Sequence, residues 1–187
     1  MALRATIYKA TLNVADTDRH YYDSHALTIA RHPSETDIRM MMRVLAFALH
    51  AGPQLAFTRG LSETDEPDLW EKDLTDLISL WVEIGQPDER RLQKACGRAE
   101  RVVVYCFGGH ASQLWWQAAS SKLARVDNLE VYAVPQTTAQ ALGELAQRSM
   151  QINVNIADGV VYFSGEKGEV SIELSCWHDA RSARMSV

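Results

Sequence analysis

The amino-acid sequence predicts one α/β domain in which a mixed β-sheet is flanked by helices. Through the middle of the chain, short apolar runs typical of buried strands alternate with segments of helical periodicity. Both ends of the chain instead alternate polar and apolar residues, as half-buried antiparallel strands do. No internal repeat or low-complexity linker divides the 187 residues, a length sufficient to bury a sizeable core.

Two strands and a helix are predicted first. The stretches 4–14 and 25–32 alternate like paired strands. Ser34 is expected to open the first helix, with Asp37 three residues later as in a capping box. Apolar residues at helical spacing give this helix a core face: Met41, Val44, Leu45, Ala48 and Leu49.

Strands and helices then alternate. A short strand or extended piece is predicted at 55–60, and the acidic stretch 61–76 is predicted to be a loop, with one helical turn as an alternative. A helix is predicted to begin at Pro87, which suits the first helical position and is followed by acids that complement the helix dipole. The remaining predicted elements are strands at 77–85, 101–108 and 129–135 and helices at 110–125 and 137–149.

The C-terminal region is predicted to contain hairpins. Asp158-Gly159 lies between two alternating runs, which is the strongest short signal for a β-hairpin, and Lys167-Gly168 marks a second turn. These turns predict an antiparallel meander of three strands over about 150–177, beside the N-terminal pair.

Composition excludes several classes of function. The net charge of −5 excludes a generic basic nucleic-acid binder but leaves room for a local basic groove. Three scattered cysteines argue against a disulfide framework or a structural zinc site. No apolar run reaches the roughly 18 residues of a membrane span, and the N-terminus lacks the core of a signal peptide. We therefore expect a cytoplasmic protein with no membrane partner.

Three acids are candidates for one site. Glu35 is expected in the first turn of the first helix, and Asp68 follows Pro67 just before the next strand. Glu83 lies inside that strand, on the same face as Trp81. Carboxylates that converge from a helix, a loop and a strand form an oxygen-rich site suited to Mg²⁺ or Mn²⁺. Such an ion lowers the pKa of a bound water and stabilises charge on a phosphodiester under attack.

Each acid also has a purely structural interpretation. Glu83 can be a glutamate of an edge strand that lies in solvent or pairs with an arginine of the following helix. Glu35 can compensate the helix dipole, and Asp68 can be one of several solvated acids in its loop.

The chain resembles the bacterial YaeQ family over nearly its whole length. The resemblance rests on MALRATIYKATLNVAD, LTIARHPSET, FTRGL, EPDLW, LWVEIGQPDERRLQKAC and QLWWQ. The order of a helix with Glu, a Pro-Asp, a strand with Glu, and then helix and strand also resembles the core of the PD-(D/E)xK nuclease superfamily. This implies a restriction-endonuclease-like mixed sheet with added N-terminal and C-terminal antiparallel strands. The core would span about 33–135 within a single YaeQ-like domain of residues 1–187.

The superfamily resemblance also implies roles for the three acids. Pro67-Asp68 would match the PD pair, Glu83 the (D/E), and Glu35 the acid of the first core helix. Together they would hold Mg²⁺ or Mn²⁺ against a nucleic-acid substrate. The next same-face position after Glu83 should carry lysine, but the sequence has Gly85.

Two residues are candidates to replace the missing lysine. A regular strand would aim Gln86 at the opposite face, unless the strand ends at Gly85. Lys94 would be a lysine supplied by the following helix, although it lies roughly 150° from the core stripe of that helix. Arg90 and Arg91 are candidate phosphate contacts on the same helix, where such residues more often form a solvated face.

Two hypotheses for function follow. The first is a divalent-metal-dependent nuclease or phosphodiesterase that uses the three acids with Gln86 or Lys94. The alternative is a non-catalytic binding or regulatory protein, for example in transcription, on a degenerate nuclease fold. Gly85 favours the alternative, and the three acids favour the enzyme. The sequence predicts neither an oligomeric state nor a choice between DNA and RNA.

Overall fold

The computed structural model of the protein describes residues 4–59, 61, 63 and 65–180. Four helices lie in these ranges: α1 (Asp37–His50), α2 (Glu89–Cys96), α3 (His110–Leu123) and α4 (Gln136–Glu144). The strands of the same ranges are β1 (Thr6–Asp16), β2 (Tyr21–Arg31), β3 (Leu55–Phe57), β4 (Leu69–Lys72), β5 (Ile78–Ile84), β6 (Ala99–Cys106), β7 (Leu129–Ala133), β8 (Ser149–Ala157), β9 (Val160–Gly165), β10 (Gly168–Glu173) and β11 (Ser175–Asp179). None of the described helices is long and apolar enough to cross a membrane.

Two mixed sheets contain these strands. One has the order β10-β9-β8-β1-β2, and the other has the order β11-β7-β6-β5-β4-β3. The mixed α/β class predicted from the sequence is confirmed. The terminal strands, however, form a sheet of their own, joined by a parallel pairing of β1 with β8. The predicted meander lies beside the N-terminal pair as expected, whereas β11 leaves it and pairs with β7.

The second sheet carries a parallel centre with antiparallel neighbours. Strands β5, β6 and β7 run parallel, and β4 and β3 continue the sheet antiparallel beyond β5. Helix α2 connects β5 to β6, and α3 connects β6 to β7. Strand β4 lies inside the stretch predicted to be an acidic loop. Within the strand Leu69 is buried, and Trp70, Glu71 and Lys72 are half-buried.

Helix α1 is buried between the two sheets. The predicted apolar stripe is widened by Met40, Met42, Ala46 and Phe47, so that apolar residues surround most of the helix. A helix that is apolar all round is buried on all sides, and α1 shares one hydrophobic cluster with side chains from both sheets. A second cluster fills the opposite face of the second sheet, under α2 and α3.

The start of α1 differs from the prediction. Thr36, and not Ser34, is the N-cap, and its hydroxyl accepts a hydrogen bond of 3.2 Å from the backbone N–H of Arg39. Ser34 instead contacts the ring of His32, with 2.6 Å between Oγ and Nδ1. Glu35 therefore precedes the helix and does not belong to its first turn.

The close packing of α4 against α1 depends on Gly143. A Cβ atom at this position would lie 2.6 Å from Cγ1 of Ile38 and 3.2 Å from its backbone N and Cα. We expect Gly143→Ala to lower the free energy of unfolding by about 1–2 kcal/mol, although alanine favours helix by about 1 kcal/mol. Gly97→Ala is the matched control, because the nearest atoms there are 3.6 Å or more away. Urea denaturation should show a lower free energy of unfolding in the Gly143 variant alone. Equal stability of the two variants would contradict the packing argument.

Candidate functional site

A cleft of about 340 Å³ opens where β5 ends. In sheets with parallel strands, the carboxyl ends of the strands are the usual place for ligand sites. The lining of the cleft includes seven polar or charged side chains: Arg39, Glu63, Glu66, Asp68, Glu83, Gln86 and Arg91. Two of the three predicted acids therefore reach one cleft.

Asp68 is fixed by the backbone of the sheet. Its N–H donates to the carbonyl of Val82 at 3.0 Å, immediately before β4 begins. Asp68 is only 1% exposed, and its carboxylate accepts a hydrogen bond of 2.8 Å from the backbone N–H of Ile84. Nη2 of Arg39 donates to both carboxylate oxygens at 2.8 and 2.9 Å. The interpretation of Asp68 as a solvated loop residue is therefore wrong.

Glu83 is buried on β5, and only one of its two carboxylate oxygens accepts hydrogen bonds from the described residues. Oε1 accepts hydrogen bonds of 2.8 Å from Nε1 of Trp81 and 2.8 Å from Nε of Arg91. Oε2 accepts no hydrogen bond from the described residues. Burial raises the pKa of Glu83 above its ordinary value; the positive charge of Arg91 opposes this rise and the negative charge of Asp68 adds to it. A buried cleft carboxyl with a shifted pKa is typical of functional sites.

Gly85 brings Gln86 to the same cleft. The strand ends at Ile84, and Gly85 has a φ of 102°, a left-handed conformation that a lysine would adopt only with strain. This bend overrides the alternation of a regular strand. Nε2 of Gln86 donates to the carbonyl of Phe107 at 2.7 Å and to Oγ of Ser112 at 2.9 Å. Oε1 of the same amide accepts no hydrogen bond within the described parts of the chain.

Lys94 is not brought to the cleft. Its ammonium lies 2.6 Å from Asp65, and both side chains are exposed. Helix α2 buries Leu92 and Ala95, as its helical periodicity predicts, and Lys94 points away from β5. Of the two candidate phosphate contacts on this helix, Arg91 lines the cleft and Arg90 is exposed outside it.

Glu35 lies beside the cleft and behind Arg39. Its carboxylate accepts a hydrogen bond of 2.9 Å from Nη1 of Arg39. It also accepts hydrogen bonds of 2.8 Å from Nε and 2.7 Å from Nη2 of Arg43. The residue is 4% exposed and lines a second cavity of about 230 Å³. Arg39 therefore separates Glu35 from Asp68, and the cleft holds two of the three predicted acids.

Arg39 and Arg43 belong to the candidate site, although the sequence pattern did not single them out. A signal for them exists, because both stand four residues apart in an otherwise apolar stretch of α1. Arginines in a buried helix require acidic partners, and Glu35 lies four residues before Arg39. Three acids and three arginines result: Glu35, Asp68 and Glu83 with Arg39, Arg43 and Arg91.

Comparison with known proteins places the chain among YaeQ proteins. A family model described as YaeQ protein matches residues 1–174. A relative from Salmonella typhi named "Uncharacterized protein YaeQ" is 46% identical over 177 residues, 95% of this chain and 98% of the relative. A relative of the same name from Escherichia coli (strain K12) is 44% identical over the same shares.

Solved structures agree with these relatives. The crystal structure of YaeQ protein from Xanthomonas axonopodis pv. citri matches with a TM-score of 0.90 and 45% identity, covering 93% of this chain and 98% of that one. YaeQ protein from Pseudomonas syringae matches with a TM-score of 0.90 and 39% identity, covering 94% and 97%. Since the family model, the relatives and the structures all span nearly the whole sequence, the chain belongs to the YaeQ family.

Proposed function

We propose that the cleft hydrolyses phosphodiester bonds of nucleic acid with the help of a divalent cation, Mg²⁺ or Mn²⁺. One observation carries the proposal: the bend at Gly85 brings Gln86 into the same cleft as Asp68 and Glu83. An acid before β4, an acid on β5 and an amide thus stand together where the PD-(D/E)xK pattern has two acids and a lysine. The antiparallel β3-β4-β5 unit followed by the β5-α2-β6 crossover is compatible with a restriction-endonuclease-like core.

The donors of the cleft fit a hard divalent cation. Mg²⁺ is usually held by one or two carboxylates, with water and substrate phosphate completing its shell. Asp68 and Glu83 would supply the carboxylates, and Oε2 of Glu83 is open. The described residues contain no group of three or more His, Cys, Asp or Glu that could hold an ion alone. We therefore expect weak cation binding until a substrate phosphate contributes.

The chain's own residues would prepare the reaction. A bound cation would supply an activated water and stabilise charge on the phosphate. Arg39 and the N–H of Ile84 bind the carboxylate of Asp68 and fix its position in the cleft. In this proposal Oε1 of Gln86 would accept a hydrogen bond from the attacking water, and Arg91 would donate to a phosphate oxygen. Gln86 does not titrate, so it would orient the water, and the proton of that water would pass to solvent.

The proposal is tested with purified protein and four substrates: single-stranded and double-stranded DNA and RNA. We expect cleavage of at least one of them with Mg²⁺ or Mn²⁺, no cleavage with EDTA, and a cation-dependent rise in melting temperature when a substrate analogue is present. If neither cleavage nor a thermal shift occurs with any of the substrates, the enzymatic proposal is wrong.

A second candidate function is a non-catalytic binding or regulatory protein. The observation in its favour is that Asp68 and Glu83 each already have an arginine partner, so neither requires a metal ion for charge compensation. This candidate predicts binding of a nucleic-acid or protein partner without cleavage. The absence of lysine after Glu83 also agrees with it.

As the pH is lowered, the cleavage activity should fall at a higher pH than the ordinary pKa of a glutamate would predict. Glu83 must be ionised to bind a cation, and burial raises its pKa, so activity falls as the pH drops through that raised value. Trp81→Phe removes a hydrogen bond to the ionised form and should move the acid limb up by about 0.5–1 pH unit. Trp70→Phe is the control, because Trp70 donates no hydrogen bond to Glu83. The measurement is kcat/KM against pH, and identical profiles of the two variants would contradict the assignment.

A further inference from the structure

The second cavity is a basic pocket in an acidic protein. It lies beside the cleft, and Arg39 and Leu61 line both. Its charged lining consists of Arg39, Arg43 and Arg59 with one acid, Glu35, whereas the whole chain has a net charge of −5. Three guanidinium groups therefore line this cavity with one carboxylate, while the other acidic partners of Arg39 and Arg59, Asp68 and Glu63, line the neighbouring cleft.

Arg43 is built into the wall of this cavity with a spare donor. The residue is 3% exposed, and Glu35 and the carbonyl of Ala30 bind its Nε and Nη2. Nη1 donates no hydrogen bond to a described residue. Nη1 is not fully buried and reaches the solvent of the cavity, where a bound acceptor would take its hydrogen bond.

Arg59 adds a cation at the mouth of the cavity. Its side chain is 73% exposed and pairs with Glu63 four residues later at 3.1 Å. Exposed pairs of this kind contribute little, so an anion can replace the carboxylate of Glu63 at low cost. Buried Arg43 and exposed Arg59 therefore face one cavity from two sides, and Arg39 links that cavity to the cleft.

We propose that the second cavity binds a phosphate group between Arg43 and Arg59. Guanidinium groups favour phosphate because their planar fork donates two hydrogen bonds to its oxygens. The expected source is a backbone phosphate of nucleic acid next to the one in the cleft, and this identification rests on the proposed function. A free phosphate or phosphomonoester has the same chemistry and is the other source.

The test measures binding without catalysis. A short fluorescently labelled single-stranded oligonucleotide is titrated in EDTA against wild type, Arg59→Glu and Arg125→Glu. Arg125 is the matched control, because it is an exposed arginine after α3 and does not line the cavity. We expect Arg59→Glu to weaken binding about tenfold and Arg125→Glu less than about twofold, with a shallower salt dependence only in the first. Equal losses in both variants would overturn the site.

A second variant and a second probe complete the experiment. Arg43→Lys keeps the charge and removes Nη1, so it should weaken binding about threefold or more. If this variant does not fold, the comparison of Arg59→Glu with Arg125→Glu tests the phosphate site. Inorganic phosphate, followed by protein NMR, should shift signals of the cavity in wild type and not in Arg59→Glu. Phosphate binding without oligonucleotide binding would identify a free phosphate as the ligand and exclude the backbone.

Failure of this inference differs from failure of the proposed function. Oligonucleotide binding that depends on Arg59 but is never followed by cleavage leaves the phosphate site intact and removes the hydrolysis. Cleavage that proceeds with the same KM in Arg59→Glu as in Arg125→Glu would leave the proposed hydrolysis intact and remove the phosphate site.

Discussion

Glu83→Gln is expected to reduce cation-dependent cleavage at least about 100-fold, which corresponds to about 2.7 kcal/mol of transition-state stabilisation. Glutamine has nearly the same shape, and its carbonyl can still accept the hydrogen bonds that Trp81 and Arg91 donate to Oε1. What it lacks is the negative charge and the open second oxygen. The loss would therefore report a cation ligand and not a packing defect.

Glu130→Gln is the matched control for this variant. Glu130 is 2% exposed on β7 and accepts two hydrogen bonds of 2.7 Å from Arg101, but it does not line the cleft. We expect its replacement to lower the melting temperature while kcat/KM stays within about twofold of wild type. Comparable activity losses in both variants, after correction for the folded fraction, would show that Glu83 acts only through stability.

The sequence predicted the two acids of the cleft better than it predicted the residue beside them. Asp68 and Glu83 meet because β4 runs antiparallel to β5, and both acids stand out in the sequence by their Pro-Asp and strand positions. The place of Gln86 depends on a single dihedral angle, the φ of Gly85. Glycine allows that angle without requiring it, so the pattern had to leave Gln86 and Lys94 as alternatives.

The sheet arrangement and the arginines could not be predicted from local patterns. The turns around Asp158-Gly159 and Lys167-Gly168 indicate pairing of strands that are adjacent in sequence. The parallel pairing of β1 with β8 joins residues about 140 positions apart and has no local signature. The same limit applies to Arg39, whose partner Asp68 is 29 residues away.

Arg39→Met is expected to lower the free energy of unfolding by about 3 kcal/mol, the largest stability effect of any side chain at the site. Arg39 is the counter-ion of two buried acids, with bonds of 2.9 Å to Glu35 and 2.8 Å to Asp68. Glu35 keeps Arg43 as a partner, but among the described residues the carboxylate of Asp68 retains only the hydrogen bond from the N–H of Ile84. A buried carboxylate that loses its counter-ion is costly because its desolvation is no longer compensated.

Arg59→Met separates this effect from the general loss of an arginine. Arg59 belongs to an exposed pair, so its replacement should cost about 0.5 kcal/mol or less. In the double variant Arg39→Met/Asp68→Asn the unpaired charge is gone, and urea denaturation should recover at least about 1 kcal/mol relative to Arg39→Met alone. If Arg39→Met is as stable as Arg59→Met, the ion pairs do not stabilise the fold.

The double variant also tests whether the network exists for stability or for the cleft. Recovery of stability without recovery of cleavage would mean that Asp68 is retained for its charge, at a cost that Arg39 offsets. An ion pair whose removal is nearly neutral for folding has no reason in stability to persist in a buried site. Such a result would assign Arg39 the role of a positioning residue, which holds the carboxylate of Asp68 beside Glu83 until a cation and a phosphate reach the cleft.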